Sequence, residues 1–252
     1  MHLSIHIERT GGTSLLAELQ KFYGIDRIMV YSADRDKIIR MNHIIISPAN
    51  ESLTKIKAFL EHTKIIAFIY QLYASFLKKS DDVLPWHDPE DVPDNVDAIQ
   101  GHFTPDRFAK LLPTSFVSVV LRDPLERIIS QYLHWRRAGG NMGFRVEVPY
   151  NPKMTFEEYA FRDEFTNFQT RALGSMKLED FDLVGITPRL NNFVARIIGK
   201  SDEKDFHATQ MNYIGQKPKY EDLGITPETI ERFKRINDED YKTYQKAIEL
   251  AA

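Results

Sequence analysis

The chain has 252 residues, 42 % of them apolar and 27 % charged, enough apolar surface to close a core without staples. It contains no cysteine, which excludes a disulfide framework, a Cys-ligated zinc site, an iron–sulfur cluster and a cysteine nucleophile. A net charge of −3 gives no electrostatic footprint for nucleic acid and makes an acidic membrane surface an unsuitable partner.

Residues 3–7 read as a short apolar strand, followed by a glycine-containing turn at 9–12. A helix is expected over 13–23, with Leu15, Leu16, Leu19, Phe22 and Tyr23 at helical spacing and Gly24 as its stop. Residues 26–31 read as a second strand and 44–46 as a short third, and 52–79 are helix-prone. The most apolar run, 65–77, is interrupted by Tyr70, Gln71, Tyr73 and Ser75, too short and polar to span a bilayer. No signal peptide is visible at the start, so a soluble, cytoplasmic protein without membrane insertion is expected. Residues 80–97 carry three prolines and many Asp and Glu but no Lys or Arg, which marks an exposed acidic loop or a lid over a substrate site. A short strand at 96–100 leads into Gly101-His102-Phe103, and 116–121 (FVSVVL) is a strong buried strand. It runs into Arg122-Asp123-Pro124 and a helix over 125–136, with Pro124 suited to the first turn. Residues 182–186 form another strand, Thr187-Pro188 opens a helix at 189–198, and Thr226-Pro227-Glu228 starts a long C-terminal helix reaching about residue 250. Strands alternating with helices predict a single α/β domain over residues 1–252, with a mostly parallel central sheet flanked by helices.

Three segments could carry chemistry. In Ile7-Glu8-Arg9-Thr10-Gly11-Gly12-Thr13-Ser14, adjacent glycines let the backbone approach a ligand closely, and the helix that follows turns its unpaired N–H groups toward an anion. Thr13 and Ser14 add hydroxyls and Arg9 a fixed charge, so the segment suits a phosphate; the alternative is an ordinary tight turn between strand and helix. It is not a Walker A loop, because no Lys precedes the Ser/Thr that would hold Mg²⁺. In the second segment Arg122 ends a buried strand, and Ser130 follows about two helical turns later. A guanidinium and a hydroxyl at the carboxyl end of a strand suit a second phosphate; structural pairing of Arg122 with Asp123 or Glu126 is the alternative. The third is His102, at the same kind of strand end, where a neutral imidazole is a natural base for a hydroxyl nucleophile.

HIERTGGTSL resembles the 5′-phosphosulfate loop (HIPKTGGTSL-like) of the Golgi-type carbohydrate sulfotransferases, and VVLRDPLERIISQY resembles their 3′-phosphate motif. GHF is similar to the Gly-His segment of the heparan-sulfate 2-O-sulfotransferase branch, and LVGIT and TPETIERF follow in the family's order. The resemblance implies a P-loop-like three-layer α/β fold that uses 3′-phosphoadenosine 5′-phosphosulfate (PAPS) and no metal. Arg9, Thr10, Gly11, Gly12, Thr13 and Ser14 would wrap the 5′-phosphosulfate, Arg122 and Ser130 would hold the 3′-phosphate, and His102 would be the base. Lys217 and Lys219, in NYIGQKPKY, stand where relatives have a basic loop that closes over the nucleotide. Two departures stand out: Glu8 replaces the usual Pro, and Arg9 the usual Lys that offsets charge on the leaving oxygen.

The implied reaction moves a sulfuryl group to an acceptor hydroxyl, with a nucleotide-dependent kinase-like phosphotransferase and an inactive nucleotide-binding relative as the alternatives. The acidic balance favours a neutral or lightly charged saccharide, a glycolipid head group or a small metabolite over a densely sulfated polymer. Trp86, His87, Trp135, Arg136 and Arg137 are candidates for lining the acceptor site, whereas His6, Arg127 and His134 read as packing or supporting residues. Nothing in the sequence indicates an oligomeric state.

Overall fold

The computed structural model describes residues 1–32, 37–40, 86–140, 148–199 and 218–251. The expected strand at 44–46, the helix-prone stretch 52–79 with its apolar run, and Lys217 lie outside these residues.

Among the described residues, seven strands form one sheet in the order β4-β3-β2-β5-β1-β6-β7. They are β1 (His2–Ile5), β2 (Ile28–Ser32), β3 (Lys37–Arg40), β4 (Trp86–His87), β5 (Ala98–Gly101), β6 (Phe116–Leu121) and β7 (Leu183–Ile186). The five from β2 to β7 in that order are parallel, while β3 and β4 extend the β2 edge as antiparallel neighbours. The sheet is therefore mostly parallel, as expected. The two edge strands were not anticipated, because Lys-Ile-Ile-Arg and a two-residue pairing are too short to show a period.

Alternation along the strands sorts the core into two faces. Leu3 and Ile5 of β1 and Val117, Val119 and Leu121 of β6 join one cluster, whereas Val120 joins the other. The first face is covered by α2 (Pro124–Ala138), α3 (Phe156–Ala160), α4 (Phe168–Ala172), α6 (Pro227–Ile236) and α7 (Asp238–Leu250). The second is covered by α1 (Gly12–Tyr23) and α5 (Leu190–Ile197), through Leu15, Leu16, Leu19, Phe193 and Val194. Helix, sheet and helix make three layers. No helix among the described residues is long and apolar enough to cross a membrane.

The expected long C-terminal helix is two helices, α6 and α7, broken at Asn237. The break has a local cause. The Asn237 amide donates to Phe233 O (3.1 Å) and accepts from Asn167 N–H (2.9 Å). The break also brings Asp240 to the start of α4, where its carboxylate accepts the N–H groups of Gln169 (3.1 Å) and Thr170 (2.7 Å).

β1 lies between β5 and β6, with His2 opposite Ala98 on one side and Phe116 on the other. After β1 the chain builds the sheet toward β2, and after β5 it crosses to β6 and β7. The carboxyl end of β1 is thus the switch point, where a doubly wound sheet opens its ligand crevice.

Candidate active site

The loop between β1 and α1 is held in shape from inside. Thr10 donates through its hydroxyl (2.9 Å) and its backbone N–H (3.3 Å) to Ile7 O. The Thr187 hydroxyl, at the end of β7, bridges Thr10 O (2.9 Å) and Leu121 O (3.2 Å). Thr10 is therefore buried as a brace of the loop, with its side-chain hydrogen directed at the chain itself. Gly11, at φ 101, caps α1 in the left-handed region; no side chain caps this helix and no carboxylate lies in its first turn. A Cβ at Gly12 would overlap the His6 imidazole, so the glycine admits that ring. Thr13 and Ser14 occupy the first turn of α1.

Arg9 also adopts a positive φ, 71°, a strained conformation that costs an arginine about 1–3 kcal/mol unless its surroundings hold it there. They do. Arg122 Nη1 donates to Arg9 O at 3.1 Å, and Arg9 Nε donates to Ser130 Oγ at 3.1 Å. The two segments singled out as phosphate-binding, 113 residues apart at Arg9 and Arg122, thus interlock at the carboxyl ends of β1 and β6. Arg122 Nη2 lies 3.5 Å from Glu126 Oε2, so the structural pairing considered from sequence is present as well. Gln169 clamps the Arg122 backbone, accepting its N–H (2.9 Å) and donating to its carbonyl (2.7 Å).

The field around Arg9 is positive. Burial, then Arg137 and Arg122, lower the Arg9 pKa to about 10, which still leaves it charged at neutral pH. Burial, then Arg9 and Arg137, push His134 down to about 4. Ser130, His134 and Arg137 stand four and three residues apart on α2, which puts them on one helix face. Arg9 forms no ion pair among the described residues. A cation cluster of this kind, beside an uncapped helix start, attracts an anion. From sequence His134 reads as a supporting residue and Arg137 as a candidate for the acceptor site; the helical spacing from Ser130 is the signal that brings both beside Arg9.

His102 follows β5 on the other side of β1. Its Nδ1 is 2.9 Å from His6 O and 3.6 Å from Glu8 Oε1, and its ring stacks on His6 at 4.3 Å between centroids. Glu8 is 1 % exposed and turns toward His102 rather than pairing with Arg9. Gln100 donates to Gly12 O (2.9 Å), fixing the start of α1 to β5.

Beside Arg122 opens a cleft of about 610 Å³, lined by Glu126, Tyr220, Lys234, Tyr241 and Tyr244 among others. Tyr220 donates to Glu126 Oε1 (3.0 Å), and burial together with that carboxylate raises its hydroxyl to about 12. Lys219 is exposed next to this tyrosine, and its N–H donates to Asp222 Oδ2 at 3.2 Å. Arg127 is fully buried over the Phe168 ring, 4.6 Å to the centroid, which is the packing role expected of it. Trp135 is a core residue that donates to Val148 O (2.9 Å), and Arg136 lies exposed over the Tyr132 ring. Among the described residues no group of three His, Asp or Glu side chains is placed to hold a metal ion.

No family model matches the chain, and no curated protein matches it. Two solved structures are similar. Retinol dehydratase in complex with retinol and PAP aligns with a TM-score of 0.38 at 14 % identity, covering 96 % of this chain and 69 % of that one. Retinol dehydratase in complex with androsterone and the inactive cofactor PAP aligns with a TM-score of 0.33 at 15 % identity, covering 96 % and 68 %. At this level of similarity no residue of the site is carried over from either structure.

Proposed function

We propose that the chain is a PAPS-dependent sulfotransferase acting on an acceptor hydroxyl, of a saccharide, a glycoconjugate or a small metabolite. The observation that carries this is the interlock of Arg9, Arg122 and Ser130 at the switch point, with His102 across β1 from it. Two guanidiniums at adjacent strand ends suit a nucleotide that carries phosphate at both its 5′ and 3′ positions. The uncapped start of α1 and Arg9 face the 5′-phosphosulfate, and Arg122 with Ser130 takes the 3′-phosphate. The tyrosine-lined cleft beside Arg122 accommodates the nucleoside part. No Lys stands in the loop to serve an Mg²⁺–triphosphate, which disfavours a kinase.

In the proposed step the acceptor oxygen attacks sulfur as His102 takes its proton. The bond from sulfur to the oxygen of the 5′-phosphate breaks, and that oxygen leaves with the electron pair. Arg9, charged at neutral pH, offsets the charge that builds there.

Thermal denaturation with 3′-phosphoadenosine 5′-phosphate (PAP), against ATP plus Mg²⁺, tests the nucleotide. A ligand at a hundred times its Kd stabilises by about 2.7 kcal/mol, and PAP is expected to raise the Tm where ATP does not. Stabilisation by ATP–Mg²⁺ alone refutes the proposal. Intact-mass screening of a hydroxyl-acceptor panel with PAPS then identifies the acceptor by the mass of one added sulfuryl group.

A further inference from the structure

We infer that Glu8 is the positioning residue of His102, forming with it a carboxylate–imidazole pair that stabilises the imidazolium produced when the base takes a proton. This rests on His102 being the base proposed above.

The starting point is a carboxylate in an unexpected place. Glu8 lies in a loop read as an anion cradle, it is 1 % exposed, and its Oε1 has no hydrogen-bond partner. A buried carboxylate oxygen without a hydrogen bond is costly and calls for a nearby countercharge. Among the described residues, Arg9, Arg127 and His102 are the candidates to supply it. Arg9, the next residue, directs Nε to Ser130 instead. Arg127 of α2 is coupled electrostatically to Glu8, but its field is shared with Asp240 of α7 and its Nη1 is bonded to Gln131 at 2.5 Å. His102, with His6 stacked on it, is the group whose nitrogen comes within 3.6 Å of the orphaned oxygen.

The geometry also assigns the hydrogens. His102 Nδ1 lies 2.9 Å from the carbonyl of His6, an obligate acceptor, so Nδ1 carries a hydrogen in either charge state. Neutral His102 then has its lone pair on Nε2, the form a general base requires. The His6 carbonyl sets the tautomer. Glu8, just beyond hydrogen-bond distance, supplies the charge. When the acceptor proton moves to Nε2 and the acceptor oxygen attacks sulfur, the positive charge on the ring is created beside a carboxylate already in place. The replacement of a loop proline by Glu thereby gains a use: it belongs to the base and not to the anion.

The test is Glu8→Gln, which keeps shape and removes charge, read in two ways. Proton–nitrogen NMR of the His102 ring, followed across pH in nucleotide-free protein, needs no turnover; the ring should lose its proton at lower pH in the variant. In sulfuryl transfer, kcat should fall about 10- to 100-fold, the acid limb of the rate profile should move to lower pH, and the Kd for PAP should stay within about threefold. An unmoved ring titration, or a kcat within about threefold of the parent, overturns the pair. A moved titration in a protein that transfers no sulfuryl group keeps the pair and removes the proposed reaction instead. Should Glu8→Gln not fold, Glu8→Asp draws the carboxylate back by one methylene. The ring titration then moves part of the way, and no movement overturns the inference.

Discussion

Replacing Arg122 by alanine removes the guanidinium that joins the two proposed phosphate segments, and its cost can be worked from the contacts. In the ligand-free protein two interactions disappear: the bond from Nη1 to Arg9 O at 3.1 Å, and the pair with Glu126 at 3.5 Å. A hydrogen bond from a charged donor contributes about 1.5–3 kcal/mol, while a partly exposed ion pair held at 3.5 Å adds less than about 1 kcal/mol. The chain should therefore lose about 1.5–4 kcal/mol of stability, a fall in Tm of about 3–16 °C for a domain of this size. Arg9, strained at φ 71, loses the donor that holds its carbonyl, so the loop should loosen with it. Binding carries a separate cost. Loss of a charge-assisted phosphate contact is worth about 2–4 kcal/mol, or about 30- to 1000-fold in the Kd for PAP. Isothermal titration with PAP and with adenosine 5′-phosphate separates the two costs. The parent should bind PAP far more tightly than adenosine 5′-phosphate, whereas Arg122→Ala should bind the two alike, because the residue that reads the extra phosphate is gone. A lower Tm with an unchanged preference for PAP would refute the reasoning and leave Arg122 a brace of the loop only.

His102→Ala should abolish transfer while leaving the Kd for PAP within about threefold, since the base lies across β1 from the proposed phosphate contacts; equal activity in the variant removes His102 as the base. Thr187→Val deletes the hydroxyl that bridges Thr10 O and Leu121 O, and should cost about 1 kcal/mol in urea denaturation together with a loss of PAP affinity; unchanged midpoint and affinity show that the bridge does not hold the loop. Stability should fall as pH drops from about 6.5 to about 4. Burial holds His2 and His134 near 4 when folded, while the unfolded chain takes up protons at their ordinary 6.5, so protonation favours unfolding throughout that window. Urea midpoints at pH 7, 6 and 5 check this, and His134→Asn should flatten part of the slope; an identical slope in the variant excludes His134 as a contributor.

What could be read from the residues, and what could not, follows the range of the interactions. Strand β6, the turn at Arg122 and helix α2 were legible because an unbroken apolar run, a proline at the first helical position and the Asp123 cap all lie within a few residues of one another. The glycine pair at the start of α1 was legible for the same reason. The interlock was not: Arg9 meets Ser130 across 121 residues, and Gln169 reaches Arg122 across 47. No local pattern encodes such contacts. The broken C-terminal helix is an intermediate case, because Asn237-Asp238 is an N-terminal signal inside an otherwise helical run, yet its reason, the docking of Asp240 on α4, is tertiary. The direction of Glu8 was open as well, since it depends on which side of a positive-φ turn the side chain leaves.

That turn gives the neighbouring residues Glu8 and Arg9 a common physical basis for their different directions. Glu8 and Arg9 are adjacent and oppositely charged, and side by side on a regular backbone they could neutralise each other. The left-handed conformation of Arg9 separates them, with Glu8 buried toward His102 on the β5 side and Arg9 extended to Ser130 on the β6 side. The charges are thereby assigned to different tasks, one to the proposed base and one to the proposed anion. Arginine suits the second task in a way lysine does not. Its Nε can hold the Ser130 hydroxyl while the planar fork keeps its Nη donors directed elsewhere, whereas an ammonium concentrates its donors at one point. The strain at Arg9 is sustained by Arg122, whose guanidinium holds the Arg9 carbonyl. The loop is consequently not an autonomous motif. Its shape depends on β6, and through Thr187 on β7 as well, so the anion cradle is a property of the sheet edge rather than of the eight residues that first suggest it.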